Sequence, residues 1–181
     1  MKKHRILLII SFFSLFAFSQ EQNNDTTGSD NKVIGKHEIK FGIIKPLLYS
    51  AFEVSYEFVA THKFGFGTTF LFNTDKTNSY QEDFSVTPFA RFYFQDPKLQ
   101  KGDGLFLEGF GTYVSGRYKG LNDVDVAHNT TAVGLGAGHK WLFASGLIIE
   151  PVAGFSQALA RADSASPIGG LRADVFVGYR F

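Results

Sequence analysis

One pattern recurs along this chain and limits what it can fold into: large apolar side chains at every second position. It is clearest where Phe52, Val54, Tyr56 and Phe58 alternate with Glu53, Ser55 and Glu57. It returns at Leu171, Ala173, Val175, Val177, Tyr179 and Phe181, set against Arg172, Asp174, Gly178 and Arg180. Period two belongs to the β-strand, whose successive side chains leave on opposite faces. These segments therefore read as strands with a greasy side and a charged side. Further segments follow the same rule: Ile39, Phe41 and Ile43; Phe64 to Phe72; Phe84 to Phe94; Leu105 to Ser115; Val133 to Trp141; Leu147 to Phe155. No helical period competes over a long window. No repeat of about 20–50 residues is present, which excludes solenoids and propellers.

Turn chemistry separates these strands. Lys45-Pro46 ends the first, because proline cannot donate to a ladder. Ala60–Lys63 and Ala144–Gly146 are short turns, and Gln95–Gly104 carries Asp96-Pro97 and Gly102-Asp103-Gly104. Asn73–Asp83, Arg117–Asn129 and Arg161–Gly170 read as polar loops, the second being the longest. Pro88 argues against a central position for its strand. The pattern predicts an all-β, antiparallel up-and-down barrel of about eight strands, each roughly 9–11 residues long. An even count puts both ends of the barrel chain at one end, together with the three turns. The three polar loops and Lys45–Ser50 then lie at the other.

The first residues belong to targeting rather than to fold. Lys2, Lys3, His4 and Arg5 precede an apolar run from Ile6 to Phe18, with small residues at Ala17 and Ser19. That is a signal peptide over 1–19, cleaved before Gln20, since a spanning helix needs about 20 apolar residues. Residues 20–35 are polar and aperiodic and read as a disordered arm. The barrel occupies 36–181. The absence of Cys excludes disulfides and thiolate metal sites, and a net charge of +1 gives no field suited to nucleic acid.

Charge placement decides which face meets which solvent. A soluble ligand-binding barrel is apolar inside and polar outside. Here the charged residues share one face: Glu38, Lys40, Glu53, Glu57, Arg91, Glu108, Lys140, Glu150, Arg172, Asp174 and Arg180. Acids and bases nearly balance. About eight strands leave room for side chains but not for an open channel, so interior charges must pair. The pattern predicts a polar plug inside and a Phe-rich face in lipid. The chain's 21 Phe and 19 Gly suit that arrangement, and polar lumen residues explain why the mean hydropathy is only −0.02. Tyr49, Phe94, Tyr113, Trp141, Tyr179 and Phe181 are the candidates for interfacial girdles.

The signal peptide, the strand count, Arg91-Phe92-Tyr93-Phe94 before a turn, and the closing Val177-Gly178-Tyr179-Arg180-Phe181 resemble the small outer-membrane barrels of the OmpA/OmpX type. The resemblance implies a Gram-negative outer membrane, with lipid and lipopolysaccharide as partners. It also implies barrel-assembly machinery during insertion, read through Tyr179 and Phe181. It implies a structural, envelope-integrity or loop-mediated adhesion role, with no cofactor and no catalysis. The alternatives are a narrow gated channel, a lipid-modifying barrel enzyme, or a soluble lipocalin-like binder.

Few residues invite chemistry. Arg91 and Glu108, inward on adjacent strands, are either a gate or a static pair. Glu53 and Glu57 could hold a cation or do acid–base work, but are expected to meet Lys40, Arg172 or Arg180 across the barrel. His128 and Thr130, with Glu150 a strand away, come closest to a hydrolase set. No two His have ligand spacing on one strand face, which argues against zinc. Asp123 and Asp125 read as solvated loop acids. Gly134-Leu135-Gly136-Ala137-Gly138 has no following helix and fits barrel alternation better than a nucleotide loop.

Overall fold

The computed structural model describes residues 35–75, 82–94, 101–119, 125–161 and 169–181. The signal peptide expected over 1–19 and nearly all of the arm expected over 20–35 lie outside them, as does Asp123.

The described strands are β1 (His37–Gly42), β2 (Ala51–Val59), β3 (Phe64–Asn73), β4 (Glu82–Phe94), β5 (Gly104–Lys119), β6 (Asp125–Leu142), β7 (Leu147–Arg161) and β8 (Gly169–Arg180). Each pairs antiparallel with its neighbours in sequence, and β1 pairs with β8 to close the ring. Closure leaves no free sheet edge along the paired rows. The fold is the eight-stranded up-and-down barrel that the alternation predicts. One end, called here the near end, carries the start of β1 and the finish of β8. The opposite end is the far end.

Two local expectations need correction. The segment after β1 is not a plain loop: Ile44–Tyr49 forms one short helix, α1, over the far rim. Pro46 sits in its first turn, where a missing N–H costs nothing, and Ser50 leaves it at φ 59° in the left-handed region. The second correction concerns Arg117–Asn129. Most of it is strand, since β5 and β6 stay paired out to Lys119↔Asp125. Its polar composition hid the ladder, because a ribbon that leaves the apolar belt needs no greasy face. For the same reason Tyr113, expected at a strand end, lies within the 16-residue β5.

Pro88 is accommodated inside β4. The register to β5 passes from Val86↔Tyr113 to Phe89↔Phe110, with the ladder interrupted between them. The Thr87 and Thr112 hydroxyls, 2.8 Å apart, bridge that gap with side chains.

The barrel is polar within and apolar without. Glu53, Ser55, Glu57 and Val59 are buried on β2, while Phe52 is 51% exposed and Phe58 37%. Leu135, Leu159 and Leu171 are exposed at 75%, 68% and 80%. Beside the polar plug expected there, the interior contains Phe89, Tyr93, Phe106, Phe110 and Phe176. Glycines make the space. Gly67, Gly134 and Gly138 stand directly opposite Phe89, Phe110 and Phe106, and a Cβ on any of the three would run into its partner's ring.

Candidate functional site in the barrel interior

Inward positions on most of the strands carry charge, and closure drives them into one space. Among the described residues, Lys40, Lys45, Arg91, Lys140, Arg172 and Arg180 stand against Glu38, Glu53, Glu57, Glu108, Glu150 and Asp174, six of each sign. Burying an ion is costly unless an opposite charge and hydrogen bonds replace its water. Here every member has an ionic partner.

Glu57 is the hub of the near half. Its carboxylate accepts from Lys40 Nζ at 2.6 Å, Arg91 Nη1 at 2.5 Å and Lys140 Nζ at 3.0 Å, and from the Tyr93 hydroxyl. Tyr93 in turn accepts from Lys140 at 2.6 Å, so the phenol links an ammonium to a carboxylate. Glu150 faces the same cations, with Lys40 at 2.8 Å and Arg91 at 2.9 Å. Glu38 accepts from Lys140 at 2.8 Å and from Arg180. Arg91 lies directly opposite Glu108 in the β4–β5 register, and its Nε donates at 2.8 Å. Glu108 also accepts from Arg172 at 2.5 Å.

The buried aromatics serve the same cations. The Arg91 guanidinium lies 4.3 Å from the ring centroids of both Phe89 and Phe106, and Lys140 Nζ lies 4.9 Å from that of Tyr93. A ring face attracts a cation that has lost its water. The near end is closed over this plug: Arg180 Nη1 donates to the Lys101 carbonyl, and Asp103 accepts from the Leu142 and Gly104 amides at 3.2 and 2.9 Å.

A second group lies toward the far end. Lys45 donates to Glu53 at 2.5 Å and stands 3.9 Å from Asp174. Asp174 Oδ1 accepts from the Ile43 and Ile44 amides at 3.1 and 3.0 Å, tying β8 to the entry of α1. Beside this second group lies a small polar cavity of about 60 Å³, lined by Lys45, Glu53, Glu82, Thr87, Thr112 and Arg172 among others.

Glu57 thus meets Lys40 across the β1–β2 pair, as its position suggests. Glu53 has its direct ion pair with Lys45, a residue read as part of a turn, while Arg172 lines the same cavity and acts on it only from a longer distance. Its partner was hidden because α1, absent from a period-two reading, brings Lys45 back over the rim. Tyr93 was also missed as a network member, although it shares the inward parity of Arg91. Glu38, Glu57 and Glu150 hold oxygens within 4.8 Å of one another, a spacing that suits a cation. Lys40 and Lys140 already place two ammonium groups among them. His128 and Thr130 are inward in the far part of β6, where Thr130 pairs with Arg161, while Glu150 sits in the near plug. The three do not form a catalytic set.

On the outside of the near end, Phe94, Trp141, Tyr179 and Phe181 are exposed between 44% and 57%. Phe181 and His37 exchange backbone hydrogen bonds of 2.9 and 3.2 Å, and their rings stack across the closing seam.

A closed eight-strand antiparallel ring with a charged, packed interior and an apolar exterior is the OmpA-type barrel fold. Among solved structures, the N-terminal β-barrel domain of Pseudomonas aeruginosa OprF is similar, with a TM-score of 0.59. The match covers 82% of this chain and 99% of that one at 17% identity, a likeness of fold. No family model and no curated protein matches the sequence.

Proposed function

We propose that this chain is a small integral outer-membrane β-barrel protein of a Gram-negative bacterium. Its role on this reading is structural: to span the membrane and present the far-end connections for envelope integrity or adhesion, without catalysis. Lipid and lipopolysaccharide are then its surroundings, and barrel-assembly machinery inserts it through the strand ending in Tyr179 and Phe181. The observation that carries this reading is the inverted polarity. Glu38, Lys40, Glu57, Lys140 and Glu150 are wholly buried, while Phe52, Phe66, Leu107 and Phe155 are each at least half exposed. In water that arrangement forfeits most of the hydrophobic gain of folding; in a bilayer it recovers it. A lipocalin-like binder would need the opposite polarity. The test is gel mobility of the membrane fraction with and without boiling in SDS. A closed barrel in the membrane fraction shifts on boiling. Recovery in the soluble fraction with no shift defeats the reading.

A second reading, a narrow gated channel, draws on one observation: Arg91 touches Glu57, Glu150 and Glu108 at once, so it has alternative partners on both sides. Planar-bilayer recording separates the two. The structural reading expects no conductance steps. Steps that vanish in the Arg91→Ala, Glu108→Ala pair favour the channel.

A further inference from the structure

We infer that the near rim of the barrel is a docking surface for anionic phospholipid headgroups. The inference rests on the membrane reading above and adds a lipid class and a set of contact residues to it. Three lysines from three separate segments stand at this rim: Lys36 before β1, Lys63 at the end of the β2–β3 turn, and Lys101 on the turn entering β5. The backbone gathers them. The Val59 amide donates to the Lys36 carbonyl at 2.8 Å, and the Tyr93 amide to the Lys63 carbonyl at 2.9 Å. Arg180 donates to the Lys101 carbonyl. The turn carrying Lys101 lies against β2, since a Cβ on Gly102 would stand 2.9 Å from Val59 Cγ1 and 3.1 Å from Arg180 Nη2.

All three lysine side chains are exposed, as is His62 beside Lys63, and none has an acidic partner among the described residues. Asp103, the acid on the Lys101 turn, is half-buried, with Oδ1 committed to the Gly104 and Leu142 amides. Among the residues whose side chains are described, the far rim differs. Lys45 is paired with Glu53, and Arg117 with Asp83 at 2.9 Å. These three lysines also sit next to the outward aromatics. Lys36 precedes His37, Lys63 precedes Phe64, and Phe58 and Phe181 both pack against His37. Rings at the edge of the hydrocarbon with lysines just beyond them match the depth of a phosphate layer. Basic groups at that depth attract anionic lipid, an attraction that salt weakens.

The test uses the full chain reconstituted in phosphatidylcholine vesicles, with insertion checked separately by the mobility shift on boiling. Trace spin-labelled phosphatidylglycerol or phosphatidylcholine then reports the lipids held at the barrel surface. At low salt the phosphatidylglycerol label should be enriched over the phosphatidylcholine label, and roughly 1 M NaCl should return the ratio toward one. The Lys36→Gln, Lys63→Gln, Lys101→Gln triple variant should lose the enrichment, and Arg117→Gln at the far rim should keep it. An inserted protein with equal ratios, or a triple variant that retains the enrichment, overturns the assignment while leaving the membrane reading in place. Failure to insert overturns both.

Discussion

Glu57 accepts from three cations and a phenol, so replacing it leaves Lys40, Arg91 and Lys140 short of a partner in a space closed to solvent. Glu57→Gln should cost about 3–5 kcal/mol, read as a lower urea midpoint of the inserted protein. Ser55→Ala, on the same buried face, removes only a hydroxyl contact to Thr69 and should cost about 1 kcal/mol. Arg91 gives a sharper test. In an isolated pair, exchanging Arg91 and Glu108 would restore the interaction. Here Arg91 also serves Glu57 and Glu150, and Glu108 also serves Arg172. The exchanged protein should therefore remain nearly as unstable as Arg91→Glu alone, because a carboxylate at that position faces those of Glu57 and Glu150. Rescue to the wild-type midpoint would show that the network is a set of independent pairs.

Among elements, β4, β5 and β6 depend on ring-over-glycine contacts. Phe106 stands opposite Gly138, and a side chain at 138 would meet both the ring and the Pro151 carbonyl. Gly138→Val should cost at least about 1–3 kcal/mol by overpacking, seen as loss of the cold-SDS form at lower temperature. Gly170 has open space around its Cβ position, and Gly170→Ala should change nothing measurable. The β5–β6 ribbon makes a different prediction. Since Lys119 and Asp125 are still paired, replacing residues 120–124 with a two-residue Asn-Gly turn should keep the barrel within about 0.5 kcal/mol. Any adhesion that depends on that connection should be lost with it, and a binding assay on intact cells distinguishes the two effects. At this scale the strands themselves were legible from period two, including their faces. The far ends of β5 and β6 were not, since a polar ribbon carries no hydrophobic alternation. Nor was α1, because six residues are too few to show a helical period.

For the molecule as a whole, the proposed membrane location divides stability between an apolar exterior facing lipid and an interior that excludes solvent. Ion pairs with no exposure are screened little by salt. The urea midpoint of the inserted protein should therefore be nearly the same at low salt and in roughly 1 M NaCl, while lipid selectivity at the near rim should not. A midpoint that falls steeply with salt would mean that water and ions reach the plug, as a channel requires.

Period two is a local property, so the sequence by itself determined the strands, their inward and outward faces, the count of about eight and the mixed charge of the inner face. It also placed Arg91 beside Glu108, both inward on adjacent strands. What it could not determine was the set of partners made by closure. Lys40 and Glu150 are 110 positions apart and touch only because β8 returns to β1 and curvature brings separate walls of the barrel together. Lys45 reaches Glu53 only because a helical turn folds it inward over the rim. Those contacts depend on the diameter and stagger of the closed ring, which belong to no single segment of the chain.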